Sequence, residues 1–402
     1  MHVLFLADAV FEDLPGGSRT VARETARELV ALGHKVTFLV GRHLPNTPDT
    51  EERNGYRIVR YEGAGQGRRF NDEGETAARK LLQAGEKFDI VHTHFAWAAV
   101  GPLKALSATP HIRTFHGPWD EESWVEDVRE ADQRQGMARH VALAKAQARR
   151  FVKKRIEAQN LKAALRVVVL SEYMKGQALR YGTVPPERVR IAPGGADLVR
   201  FTPGRREDAR ARLDLPLDRK ILFCVRRLAP RMGLDNLLVA MEQVKAVCPE
   251  ALLLLGGKGP LAGTLQDEIG RRGLSDHVRL LGFVPDDRLA DYYRAAELFV
   301  LPTVALEGFG LVTVEALASG TPVLATPTGA TPEILSPLDS RLLTKDASPE
   351  ALTEGILQAL TENWLATLTP EKLRQFVEER YSWRRHTEAC LALYEEVRHG
   401  HA

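Results

Sequence analysis

The residues with the most chemical promise lie in Leu301-Pro-Thr-Val-Ala-Leu-Glu-Gly-Phe-Gly-Leu-Val-Thr-Val-Glu-Ala-Leu-Ala-Ser-Gly320. Gly308 and Gly310 stand where a loop after an apolar strand becomes a helical pattern, with Val312–Ala318 carrying the periodicity. A helix start leaves backbone N–H groups unpaired, and its dipole adds about half a positive charge, so an anion is welcome there. Glycine also lets a phosphate come close to the backbone. Glu307 precedes this helix and Glu315 lies about two turns inside it. A carboxylate does not favour a phosphate. The two acids are therefore expected to accept from hydroxyl groups on separate parts of one elongated ligand. Sugar-like rings offer vicinal hydroxyls, and one carboxylate can accept from two at once.

Arg226-Arg227-Leu-Ala-Pro-Arg231 supplies the opposite charge at the end of another strand. Arginine donors stabilise the charge that develops on a departing diphosphate, each charge-assisted hydrogen bond contributing roughly 1.5–3 kcal/mol. No Asp-x-Asp occurs anywhere in the chain, so this carboxylate platform for a nucleotide-bound cation is missing. His92 and His94, two residues apart on a strand, point the same way and invite a metal reading. No third ligand is evident nearby, and a satisfied histidine pair at a strand end is the better expectation. The expected metal content is none.

The elements that must hold these residues are short apolar runs alternating with helical patterns. In the first half the strands are expected at 2–8, 35–40, 57–61, 88–92, 111–115, 166–170 and 189–192. In the second half they are expected at 220–225, 251–256, 278–281, 298–301 and 322–325. Continuous apolar strands between amphipathic helices imply parallel sheets covered on both faces, hence an α/β class of two doubly wound units. In such sheets ligands lie beyond the carboxyl ends of the strands. Gly16-Gly17, His92 and His94, His116-Gly117, Arg226-Arg227, Gly256-Gly257-Lys258-Gly259 and Glu307-Gly308-Phe309-Gly310 all fall on that edge. Two such edges are expected to face each other across a cleft. The Pro- and Gly-rich stretch 193–204 marks the boundary, giving domains at 1–196 and 197–382, with a closing helix at 383–402 expected to pack back on the first.

The composition suits this architecture. The chain has 402 residues, 44% of them hydrophobic and 27% charged, and a net charge of +2, which excludes a globally basic nucleic-acid binder. Three dispersed cysteines fit a reducing compartment, and the start reads as a strand rather than a signal peptide. The chain is expected to be cytoplasmic, without a membrane span. The insertion 119–162 has acids at its front and, over 139–162, a basic stretch relieved only by Glu157. Either it is a solvated helical pair whose opposite charges face each other, or the basic stretch meets anionic lipid headgroups or an anionic acceptor at the inner face of the membrane.

With these residues the chain resembles the retaining glycosyltransferases of family 4, which have the GT-B fold. Glu307 and Glu315, with seven residues between them, reproduce the family's Glu-x7-Glu signature inside EGFGLVTVEALASGTPVLAT. The resemblance covers essentially the full length. It implies that Glu307 contacts donor-sugar hydroxyls, Glu315 the ribose, and the amides around Phe309-Gly310-Leu311, with Gly308, the diphosphate. Arg227 matches the phosphate-binding Arg of the Gly-Arg-Leu motif, and the Gly16-Gly17 loop matches the glycine loop near the reaction centre. His116 in Thr-Phe-His-Gly matches the His facing the donor sugar. Pro193-Gly-Gly-Ala-Asp197 looks like the interdomain Pro-Asn-Gly-Val-Asp motif. The catalytic set implied is Glu307, His116 and Arg227. One departure is Met232, which stands where the family usually has a second phosphate-binding Lys; Arg231 or Lys258 is expected to take that role.

The activity implied is transfer of a hexosyl unit from a nucleoside diphosphate sugar to an acceptor hydroxyl, with retention and without a metal. The nucleotide sugar, UDP- or GDP-linked, is a co-substrate, and no cofactor is expected. The acceptor and the oligomeric state are left open. The competing readings are a nucleotide-sugar epimerase on the same fold and a non-catalytic, coat-type protein.

Overall fold

The structure is a computed structural model that describes residues 1–63, 68–132 and 134–400. The chain forms two compact units, Met1–Gly194 with Trp383–Ala402, and Gly195–Ser382. Each is an open sheet of mainly parallel strands covered by helices.

The first unit contains β1 (His2–Leu6), β2 (Lys35–Gly41), β3 (Thr50–Arg53), β4 (Tyr56–Tyr61), β5 (Ile90–Thr93), β6 (His111–Thr114), β7 (Arg166–Val169) and β8 (Val189–Ile191). They lie in the order β3-β4-β2-β1-β5-β6-β7-β8. Every neighbouring pair is parallel except β3 and β4. The winding reverses between β1 and β5, and Gly16 and His94 follow these two strands. The polar β3, Thr-Glu-Glu-Arg, has no apolar alternation and is absent from the expected elements. It is a charged edge strand. Glu51 ties it to the buried guanidinium of Arg60 at 2.6 Å, which also holds Asp13 at 2.8 Å.

The closing helix Trp383–Arg398 belongs to this unit, while residues 401–402 of the expected element lie outside the described residues. Cys390, Leu393, Tyr394 and Val397 enter the core with Phe5 and Phe38, and Glu396 pairs with Arg166 at 2.5 Å. The insertion is a helical pair, Trp119–Asp132 and Gly136–Ala163. Opposite charges do face each other across it, at Arg139–Asp132 (2.7 Å) and Arg149–Asp127 (2.9 Å). Glu157, the one acid of the second helix, is buried against Arg113 at 2.8 Å.

The second unit contains β9 (Lys220–Val225), β10 (Ala251–Gly256), β11 (Val278–Gly282), β12 (Leu298–Leu301) and β13 (Val323–Ala325), in the order β11-β10-β9-β12-β13. All neighbours are parallel. The runs Lys-Ile-Leu-Phe-Cys-Val and Ala-Leu-Leu-Leu-Leu-Gly are continuous because both sheet faces are buried. Here the winding reverses between β9 and β12, so the loops after these strands meet at the switch point. Among the described residues, no helix is long and apolar enough to cross a membrane.

Candidate functional site

In the second unit the loops following β9 and β12 converge on Glu307. Arg226 Nη2 lies 2.7 Å from Glu307 Oε2, and Thr303 Oγ1 donates to the same oxygen at 3.1 Å. Arg226 Nη1 in turn donates to Thr303 Oγ1 at 2.5 Å, closing a triangle of one cation, one hydroxyl and one carboxylate. The Arg226 and Glu307 side chains are each 8% exposed and Thr303 is fully buried. Two residues expected at this site, Arg227 and Lys258, are exposed on neighbouring loops that are joined by the Leu228 amide donating to the Lys258 carbonyl at 2.9 Å.

The backbone around Glu307 is held against its own preference. Leu306 adopts a positive φ of 58°, a conformation costing about 1–2 kcal/mol for an L-residue with a side chain. Arg231 Nη1 donates to the Leu306 carbonyl at 3.0 Å, and the Ala330 amide donates to the Glu307 carbonyl at 2.9 Å. Gly329 is needed for the second contact, since a Cβ there would stand 2.1 Å from the Glu307 carbonyl oxygen. Arg231 thus fixes the turn that presents Glu307. Met232, at the position where a lysine was expected, is buried in the core of this unit.

Gly310, with φ 85°, begins the helix Leu311–Ala318, and no side chain caps that start. The first amides of this helix are therefore without a side-chain acceptor, the arrangement expected for an anion. Glu315 is buried inside this helix, and its Oε2 accepts from the Tyr293 hydroxyl at 3.0 Å. Burial, and next the Glu315 charge, push the Tyr293 hydroxyl well above its ordinary pKa, so it remains a donor. Tyr293 packs edge-on against Phe223 and Phe299, which locks it to β9 and β12. Thr303 and Tyr293 carry no role in the expected site, and Arg226 enters it only as part of the cationic run 226–231, without its contact to Glu307.

In the first unit Gly16 precedes the helix Gly17–Ala31, whose start likewise has no side-chain cap. A Cβ at Gly17 would meet nothing within 4 Å, so that face is open. His116, after β6, contacts His94 through Nε2 and Nδ1 at 3.2 Å, with the rings stacked at 5.4 Å. His92 uses both nitrogens, on the Tyr394 hydroxyl (2.6 Å) and on Thr114 Oγ1 (2.7 Å), as a satisfied strand-end histidine. Burial above all holds His92, His94 and His116 well below the ordinary imidazole pKa, with neighbouring imidazoles and Arg113 adding to it. At neutral pH His116 is a neutral hydrogen-bonding group. Among the described residues no three His, Cys, Asp or Glu gather as metal ligands.

Comparison with known proteins fits this geometry. The profile described as glycosyl transferases group 1 matches residues 205–383, and that of Glycosyltransferase Family 4 matches residues 15–200. A D-inositol 3-phosphate glycosyltransferase of Catenulispora acidiphila is 30% identical over 406 residues, covering 96% of this chain and 92% of its own. The chain belongs to glycosyltransferase family 4. Several other relatives, the first of them included, align over little more than half their own length. A GDP-mannose-dependent alpha-(1-6)-phosphatidylinositol monomannoside mannosyltransferase of Mycobacterium tuberculosis is 29% identical over 226 residues, 54% of this chain and 58% of its own. Among solved structures, a sucrose-phosphate synthase of Thermosynechococcus elongatus superposes with a TM-score of 0.79 at 25% identity, covering 98% of both chains. The two Rossmann-like units are those of the GT-B fold, and the chain is a glycosyltransferase by family.

Proposed function

We propose that this glycosyltransferase moves a hexosyl unit from a nucleoside diphosphate sugar to an acceptor hydroxyl, with retention at the anomeric carbon. The observation that carries this reading is the triangle of Arg226, Thr303 and Glu307 at the switch point, beside the uncapped helix start at Gly310. In it Glu307 takes the donor-sugar hydroxyls, Glu315 with Tyr293 takes the ribose, and the amides at Gly308, Phe309, Gly310 and Leu311 take the diphosphate. Arg227, Arg231 and Lys258 surround the diphosphate with positive charge and stabilise it as the glycosidic bond breaks. That cationic set does the work of a divalent ion, so transfer is metal-independent. The departing phosphate oxygen accepts the acceptor's proton on the same face of the sugar. His116, neutral, hydrogen-bonds near the donor sugar, and the Gly16-Gly17 loop leaves room for it.

GDP-mannose, the donor in one relative's name, and UDP-glucose are the donors to assay first, and an inositol phosphate or a phosphatidylinositol monomannoside, as in the relatives' names, is the first acceptor class. Incubation with each donor, with and without acceptor, tests the reading. An acceptor-dependent product of unchanged anomeric configuration, formed equally in EDTA, is expected. Donor turnover with no acceptor transfer would favour an epimerase and contradict the proposal.

The basic stretch supplies the partner side. On the helix Gly136–Ala163, Met137 is 79% exposed and Phe151 65%, with Val141 and Val152 half exposed beside them. Lys145, Lys154, Arg155 and Lys162 are exposed there and form no ion pair among the described residues. Apolar tips among unpaired cations suit the headgroup region of an anionic bilayer. Co-sedimentation with vesicles containing phosphatidylinositol, but not with phosphatidylcholine alone, is expected, and Phe151→Glu should abolish it. Equal binding to both vesicles would contradict this.

A further inference from the structure

We propose that Arg226 is a positioning residue for the donor sugar: with Thr303 it saturates Oε2 of Glu307, so that Glu307 grips the sugar through Oε1 alone. This rests on the nucleotide-sugar reading and sharpens which feature of the sugar is read. A carboxylate oxygen offers two acceptor directions. On Oε2 one is taken by Thr303 Oγ1 at 3.1 Å, and the Arg226 guanidinium crowds the same oxygen as an ion pair, with Nη2 at 2.7 Å. Both donors are held in turn. Arg226 Nη1 bonds Thr303 Oγ1, and the Thr303 carbonyl accepts from Thr326. Both charged side chains are nearly buried, which fixes the geometry and keeps water from competing.

The other oxygen, Oε1, is turned toward the helix start, 3.8 Å from where a Cβ on Gly310 would stand. It is therefore the oxygen left for a sugar hydroxyl. The two-hydroxyl grip that a free carboxylate could offer is reduced to one hydroxyl. Arg227, next in the chain, is exposed and does not share this role, and Met232 is buried in the core. The donor class selected is a hexose read at this acid by one hydroxyl, with its vicinal neighbour free to differ in configuration.

Calorimetric titration of the full chain with GDP, GDP-mannose and GDP-mannose analogues each lacking one hydroxyl tests this, with the UDP and UDP-glucose series in parallel. In the unsubstituted protein one deoxy analogue should lose about 10- to 100-fold in affinity, the value of one charge-assisted hydrogen bond, and the analogue lacking the vicinal hydroxyl should lose little. In Arg226→Met, affinity for the free nucleoside diphosphate should stay within about twofold, because the diphosphate contacts are untouched. Its sugar-dependent gain in affinity and its preference among deoxy analogues should disappear. Arg226→Lys should restore part of both, and Glu307→Gln combined with Arg226→Met should lose no more than the worse single variant. Thr303→Val removes one Oε2 donor without stranding a charge, and keeps the test open if Arg226→Met does not fold. Equal losses for two vicinal deoxy analogues, or wild-type preferences in both Arg226→Met and Thr303→Val, would overturn the inference while nucleotide binding stands. Absence of binding by any nucleoside diphosphate to the unsubstituted protein would instead overturn the reading beneath it.

Discussion

The two units carry the same kind of sheet and put their polar residues at the same strand ends, yet they furnish that edge with opposite chemistry. In the first unit it holds imidazoles that stay neutral: the buried His92 and His94, both in ring contact with Phe5, and the half-buried His116, stacked on His94. In the second it holds full charges in contact, Arg226 on Glu307, with Arg231 bracing the turn beneath them. Eleven of the chain's 12 histidines lie outside the second unit, His277 being the exception. Burial explains the division. A lone imidazole enters a low-dielectric site by giving up its proton, whereas an arginine stays charged and must bring its counter-charge with it. A diphosphate needs fixed positive charge, so it suits the second edge. The first edge offers neutral imidazoles, and its Arg19 is already paired with Asp8 beside the glycine loop.

The largest effect should come from breaking the charged edge. Glu307→Ala and Arg227→Ala are expected to lower turnover by about two to three orders of magnitude, the scale of a lost charge-stabilising contact in a transition state. Steady-state kinetics, with circular dichroism to show a retained fold, checks this; near-normal turnover in both would remove the reason for assigning chemistry to this edge. Gly17→Ala should separate sterics from stability in the other unit. Its Cβ meets no protein atom and falls on a helix, so thermal stability should hold or rise slightly while turnover drops. Unchanged turnover would mean that no substrate approaches the Gly16-Gly17 loop. Glu315→Ala should weaken nucleotide affinity by about tenfold and Tyr293→Phe by less, each reading one hydrogen bond. An effect on sugar preference rather than on nucleotide affinity would reverse the assignment of the two acids.

Acid should distinguish the two edges without any mutation. Burial lowers the pKa of His92, His94, His116 and His386, and that of His111 to about 3. These groups bind fewer protons folded than unfolded. Their contribution to stability is therefore complete above the unfolded value near pH 6.5 and is lost as pH falls below it, each by at most about 1.4 kcal/mol per unit. Four of the five tryptophans, Trp97, Trp119, Trp124 and Trp383, belong to the first unit, so tryptophan fluorescence in urea mostly follows that unit. Its midpoint should fall between pH 7 and pH 5. A midpoint independent of pH would contradict the neutral-imidazole edge.

The amino-acid sequence displays one kind of information well. Continuous apolar strands, the glycine turn before Leu311 and the spacing of Glu307 and Glu315 are local, and each is visible without knowing what lies beside it. The partners of those residues are not local. Nothing in the spacing says that β9 and β12 are neighbours, so the pairing of Arg226 with Glu307 through Thr303 could not be read, nor could the choice of Arg226 over Arg227 for that contact. Tyr293 lies on a different helix from the Glu315 it holds. The histidine stack depends on β5 and β6 pairing with His92 opposite Ile112. The strand Thr50–Arg53 is hidden for a different reason: it is secured by the Arg60 ion pairs rather than by burial of its own side chains.

The proposed grip of the second unit on a nucleoside diphosphate sugar, between its cations and Glu307, is tested most directly by titration of the full chain with GDP-mannose and UDP-glucose, alongside GDP and UDP. One nucleotide pair is expected to bind, with Arg227→Ala weakening both members of that pair and Glu307→Ala weakening only the sugar-bearing one. Binding of neither nucleotide, or binding that both substitutions leave unchanged, would contradict that grip.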